Sequence, residues 1–149
     1  MIEVGQKAPD FELPDSNGNL VKLSSFQDKQ NVVLIMYPGD DTPGCTKQLC
    51  SVRDNFSDFG KEEAVVLGIN HADADSHNKF IKKYDLKNPI LIDADRKVIT
   101  EYGAIKNFMG KESTQRSVII IDKQGVIRYI MRGLPTHQEI KQQLEIINK

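Results

Sequence analysis

The run Val32 to Tyr37, "VVLIMY", is apolar at every position and rich in β-branched residues. A half-exposed strand would alternate, so this run predicts a strand covered on both faces, the habit of parallel sheets. Ala64 to Ile69, "AVVLGI", repeats the pattern. Between the two, Pro38 opens a polar loop, and Leu49, Val52, Phe56 and Phe59 then recur at helical spacing until Gly60. Thr42 suits the N-cap of that helix and Pro43 its first position. Strand, helix and strand make a βαβ unit and commit the chain to an α/β fold.

The rest of the chain extends this frame. Residues 11–23, "FELPDSNGNLVKL", put Asn17-Gly18 between two short alternating segments and predict an N-terminal β-hairpin. Phe80, Ile81 and Tyr84 mark a helix, "ILID" at 90–93 a short strand, and Val98, Ile99 and Tyr102 before Gly103 a short helix. "SVIIID" at 117–122, a turn at 123–125 and "VIRYIM" at 126–131 read as an antiparallel pair. Thr136 and Glu139 form a capping box ahead of Ile140, Leu144 and Ile147, a closing amphipathic helix. The stretch 104–115, "AIKNFMGKESTQ", lacks periodicity and reads as a surface loop. With no repeat, low-complexity segment or linker, the expectation is one domain, 1–149, with a central mixed sheet flanked by helices.

The 20 basic and 21 acidic side chains leave a net charge of -1 with no basic run, which argues against a nucleic-acid partner. The start "MIEVGQKAP" has no charged segment leading into an apolar one, and no run of about 18 apolar residues could span a bilayer. A cytoplasmic protein without membrane association is expected.

A chain of 149 residues can bury a core without disulfide staples, so Cys45 and Cys50, its only cysteines, are not needed to hold the fold. With Thr42 as N-cap, Cys45 stands at the third helical position, where unpaired amides and the positive end of the helix dipole favour a thiolate, the reactive form. Cys45 is placed to be a nucleophile. At 100° per residue, Leu49, Val52, Phe56 and Phe59 fall within about 40° of Cys45, whereas Cys50 lies about 140° away. An intact helix separates the two Cα atoms by about 8.7 Å, beyond the roughly 4.4 to 6.8 Å that a disulfide spans. A bond between them requires the first turns to unwind, as in a disulfide that forms and breaks during a cycle. The bland alternative is a pair of small buried hydrophobes. A zinc site would need further ligands, and His71, His77 and His137 show no paired spacing and read as surface residues, so no metal is expected.

The segment "YPGDDTPGCTKQLC" resembles the active-site segment of peroxiredoxins of the bacterioferritin comigratory protein (Q-type) subfamily, whose pattern is P-x-x-x-T-x-x-C with a second cysteine five residues on. The resemblance extends through "GQKAPDFELPDSNG", "VLGIN" and "RSVIIIDKQGVIRY". It implies a thioredoxin-like fold, peroxidatic Cys45, resolving Cys50, and a peroxide pocket built by Pro38, Thr42 and Arg116. It also implies hydroperoxide as substrate, thioredoxin or a similar dithiol as reductant, a monomer, and no bound cofactor. Taken without the family, Pro38 merely ends a strand, Thr42 is a plain N-cap, and Arg116 is a strand-end arginine with its head in water. Gln48 stands where relatives carry Glu or Gln. Two rivals use the same residues: a thiol-disulfide oxidoreductase, against which the C-x-x-x-x-C spacing argues, and a redox sensor passing oxidation to a partner protein.

Overall fold

The hairpin expected at 11–23 is present in the computed structural model, which describes residues 2–149; Met1 lies outside them. Its strands are β1 (Glu12–Pro14) and β2 (Leu20–Lys22), antiparallel with Pro14 opposite Leu20. The connection is wider than a two-residue Asn-Gly turn. Asp15 Oδ1 accepts from the amides of Asn17 (2.8 Å) and Asn19 (3.0 Å), so one carboxylate organises a loop in which only Gly18 takes a positive φ, 85°.

Strand β3 (Asn31–Met36) is followed by helix α1 (Pro43–Asp54), helix α2 (Phe56–Lys61) and strand β4 (Ala64–Asn70). β3 and β4 pair in parallel, Val32 beside Val65 and Met36 beside Ile69, which is the βαβ unit read from the apolar runs. The single helix expected up to Gly60 is broken. Asn55 leaves helical geometry at φ -119°, ψ 24°, and its Nδ2 donates to the Ser51 carbonyl at 2.9 Å. Asparagine competes for backbone groups in this way, and the break re-phases the turns of α2 against those of α1. Phe59 still enters the core, but Phe56, expected on the same face, is 45 % exposed.

Helix α3 (Ala74–Tyr84) starts at Asp73, whose Oδ1 accepts from the Ser76 amide at 2.9 Å. Strand β5 (Ile90–Ile92) joins β4 in parallel, and helix α4 (Lys97–Glu101) comes next. Residues 104–115 correct the loop expectation: they hold a hairpin, β6 (Ile105–Phe108) with β7 (Lys111–Thr114). Its turn residues Met109 (φ 51°) and Gly110 (φ 80°) are both left-handed, the geometry that matches strand twist. Both faces are largely exposed, so no apolar alternation marked it in the sequence.

Strands β8 (Ser117–Ile121) and β9 (Ile127–Arg132) pair antiparallel, and helix α5 (His137–Ile147) closes the chain, Thr136 Oγ1 accepting from the Glu139 amide at 3.1 Å. β8 also runs antiparallel to β3, giving a mixed sheet of order β5-β4-β3-β8-β9. Along β3, Val32, Leu34 and Met36 face one core with Phe11, Ile99 and Tyr102. Val33, Ile35 and Tyr37 face a second with Leu49, Phe59, Phe80 and Ile140. Leu34, Leu49 and Ile69 are fully buried, each contributing on the order of 2 kcal/mol by leaving water. Among the described residues, no helix is long and apolar enough to cross a membrane.

Candidate active site

Parallel strands β3 and β4 end beside the start of antiparallel β8, and open α/β sheets bind ligands beyond such strand ends. The register pairs Met36 with Ser117, so Arg116 leaves the sheet beside the chain that continues from Tyr37 into Pro38. Asn70, fully buried at the end of β4, donates from Nδ2 to the Tyr37 carbonyl at 2.7 Å and accepts at Oδ1 from the Ala72 amide at 2.9 Å. These bonds fix where β3 stops and the loop of Pro38, Gly39, Asp40 and Asp41 begins, with Pro38 half-buried at its base.

Thr42 has the extended backbone of an N-cap, φ -90°, ψ 152°, and Thr46 N donates to its carbonyl at 2.8 Å. Its side chain does not cap the helix. Oγ1 donates instead to the Gly39 carbonyl at 3.1 Å. The N-cap expectation therefore holds for the backbone of Thr42 and fails for its hydroxyl, which leaves the first-turn amides of Gly44 and Cys45 without a side-chain acceptor. Such amides are an anion site in waiting.

Cys45 is fully buried among Leu49 and Val52, on the core side that the helical angles predict, and Cys50 is half-buried at the flank. Both are free thiols, and α1 runs through both without a break. Arg116 lies across the helix start: a Cβ built on Gly44 would stand 2.9 Å from its Nη2 and 3.5 Å from its Cζ. Its Nη1 donates to Gln48 Oε1 at 3.2 Å, and Gln48 is itself buried. Glycine at 44 is what lets the guanidinium pack on the backbone one residue before the thiol, and Gln48 holds it there.

Behind the loop, Asp40 Oδ1 accepts from Tyr37 OH at 2.6 Å, and Oδ2 accepts from Ser76 Oγ and His77 Nδ1, both at 2.6 Å. Burial pushes the Asp40 carboxyl up, but the hydrogen bonds from His77, Ser76 and Tyr37 outweigh it and hold the group below the usual carboxylate range. The Tyr37 phenol is pushed well above its ordinary value, by burial first and then by the negative charge of Asp40, so it remains a donor. His77, expected at the surface, is fully buried because its carboxylate partner arrives from 37 residues earlier. His71 and His137 are half-buried, His137 Nε2 lying 2.9 Å from Asp58 Oδ2. Among the described residues, no group of three or more His, Cys, Asp or Glu side chains is arranged to hold a metal ion.

Of the residues singled out from the sequence, Thr42, Cys45 and Arg116 gather at the start of α1 with Pro38 at the base of the same loop, while Cys50 stands further along the helix. The sequence reading missed Tyr37, Asp40, Asn70 and His77. It also passed over the role of Gln48, whose spacing of four from Gly44 places it under the guanidinium.

Residues 4–130 match the AhpC/TSA family. The chain is 43 % identical over 129 residues to the chloroplastic peroxiredoxin Q of Oryza sativa subsp. japonica, covering 87 % of this chain and 58 % of the longer plant protein. It is 35 % identical over 150 residues to peroxiredoxin Bcp of Bacillus subtilis (strain 168), covering 98 % and 95 % of the two chains. The crystal structure of peroxidoxin BcpB from Mycobacterium tuberculosis matches with a TM-score of 0.90 at 28 % identity over 99 % of both chains, so the expected thioredoxin-like fold is the one found. The chain belongs to the AhpC/TSA family, among its Bcp and peroxiredoxin Q members.

Proposed function

We propose that the chain is a thiol peroxidase with Cys45 as its peroxidatic cysteine. The carrying observation is a single buried thiol at an uncapped helix start, with the Arg116 guanidinium packed on the neighbouring Gly44 backbone. The Cys45 thiolate attacks the terminal oxygen of a hydroperoxide; the O–O bond breaks, sulfur becomes a sulfenic acid, and the departing oxygen takes a proton to leave as water or an alcohol. Charge growing on the oxygens meets the Gly44 and Cys45 amides and Arg116 in a water-poor site, where fixed donors count most. Thr42 Oγ1, donating to Gly39, keeps its lone pairs for the peroxide, and Pro38 shields one side of the sulfur.

Cys50 is the resolving residue in this reading. Once the first turns of α1 unwind, its thiol displaces the sulfenic hydroxyl as water and forms an intrachain disulfide. Thioredoxin, as an external dithiol, reduces that bond by exchange. We place the enzyme in the cytoplasm as a monomer, 1–149 acting as one domain. In support, Val4, Leu20, Phe56, Leu134 and Ile146 are exposed at positions scattered along the chain, and the one adjacent exposed pair among the described residues, Phe108 and Met109, is confined to the tip of the β6–β7 hairpin.

Steady-state consumption of hydrogen peroxide with thioredoxin, thioredoxin reductase and NADPH tests the reading. Cys50→Ser should keep the rate of the first oxidation within about twofold while thioredoxin-supported turnover collapses; normal turnover would remove Cys50 as resolver. Gly44→Ala probes Arg116 from the opposite side. Alanine favours a helix by up to about 1 kcal/mol over glycine, yet its Cβ would meet the guanidinium at 2.9 Å. The variant should melt no lower than wild type and react with peroxide about tenfold more slowly. An unchanged rate would mean that the position of Arg116 is immaterial.

A further inference from the structure

The two aspartates ahead of the catalytic helix both reach α3. Asp40 binds Ser76 and His77, as described, and Asp41 Oδ2 accepts from Lys83 Nζ at 2.8 Å while its Oδ1 accepts from Tyr84 OH at 2.6 Å. Beyond the cysteines, Arg53 Nη1 donates to the Tyr84 carbonyl at 2.6 Å. The tied residues Asp41 and Arg53 thus bracket the segment that carries Cys45 and Cys50. The platform is itself anchored: Phe80 is buried in the second core, and Asn78 Nδ2 donates to the Ser16 carbonyl at 3.0 Å. Asp41 is also held left-handed at φ 57°, a conformation strained for an L-residue and one that the loop can leave once its ties are broken.

We propose that Asp40 and Asp41, with Ser76, His77, Lys83 and Tyr84 of α3, form a clamp that sets how often the first turns of α1 unwind, and therefore how fast Cys50 reaches oxidised Cys45. These are positioning residues; none touches the reacting atoms. The inference rests on the reading of Cys45 and Cys50 as a peroxidatic and resolving pair. While the clamp is closed, a sulfenic acid waits. A second hydroperoxide can then attack, its O–O bond breaking to give sulfinic acid and water or an alcohol, so the clamp also sets the share of enzyme lost to over-oxidation.

The test is Lys83→Met with Tyr84→Phe, which removes both partners of Asp41 and leaves the active-site loop unaltered, beside Asp41→Asn as a milder release. Rapid-mixing kinetics of the reduced proteins should show the second-order oxidation of Cys45 unchanged within about twofold and the first-order formation of the disulfide five- to tenfold faster. Sulfinic acid at high peroxide should fall in proportion. A contact that merely supports the fold would slow both steps together, and that result, or an unchanged disulfide rate, overturns the clamp. A second readout needs no peroxide. Equilibration with reduced and oxidised dithiothreitol should move the Cys45–Cys50 couple about fivefold toward the disulfide in the variants, because the clamp stabilises only the folded dithiol form. A protein silent toward peroxide that still shows this shift would overturn the peroxidase reading and leave the clamp standing. No shift, or no disulfide in any variant, overturns the clamp itself.

Discussion

Cys45→Ser abolishes hydroperoxide turnover down to the buffer blank in the thioredoxin-coupled assay. A serine hydroxyl is a far poorer nucleophile toward peroxide oxygen than a cysteine sulfur, whose thiolate is the reacting species. The substitution also puts a hydroxyl into the core formed with Leu49 and Val52, so melting a few degrees lower is expected and does not explain a complete loss. Intact mass after one equivalent of peroxide gives the sharper check: wild type loses two hydrogens as its disulfide forms, and Cys45→Ser is unchanged. A variant that still turns over would move the chemistry to Cys50 and undo the assignment of roles.

Arg116→Ala lowers the second-order rate of Cys45 with peroxide by about a hundredfold, the scale on which loss of a preorganised donor slows a charge-developing step. The guanidinium is half-buried, packed on Gly44 and bonded to Gln48, so little of its head moves in water. Arg116→Lys should recover only part of the rate, since one ammonium cannot face Gln48 and the peroxide at once as a planar fork can. Thermal stability should stay close to wild type in both, because the arginine stands one residue before β8 and fills neither core. A rate within twofold of wild type in Arg116→Ala would return this residue to the role of an ordinary strand-end arginine.

The parts of the fold that bury apolar surface were legible in the sequence. Val32 to Tyr37 and Ala64 to Ile69 announced two-sided strands because covering both faces leaves no polar position, and the sheet indeed has a core on each side. The hairpin at 105–114 escaped notice for the opposite reason: with little buried on either face, its strands carry no period, and only Gly110 hints at the turn. The break at Asn55 depends on one side chain choosing the Ser51 carbonyl over continued helix, a choice that apolar spacing does not register. At the site, the position of Cys45 in the first turn of α1, facing the core, was readable from local cues of cap, proline and spacing. Thr42 misled in part because its hydroxyl had two partners within reach and took Gly39. His77 was unreadable, since what buries it is a carboxylate distant in sequence and near in space.

The division of the interior by the sheet bears on how the enzyme survives its own cycle. The helix that unwinds in the proposed cycle, α1, places Cys45, Leu49 and Val52 in the core of Phe59 and Phe80, and the opposite core of Phe11, Ile99 and Tyr102 takes no residue from it. In the proposed cycle each turnover loosens the first turns of α1 on one side of the sheet while the core on the other keeps the strands in register. Refolding of α1 is thereby a short local search against a finished template, repeatable many times without passing through the unfolded chain.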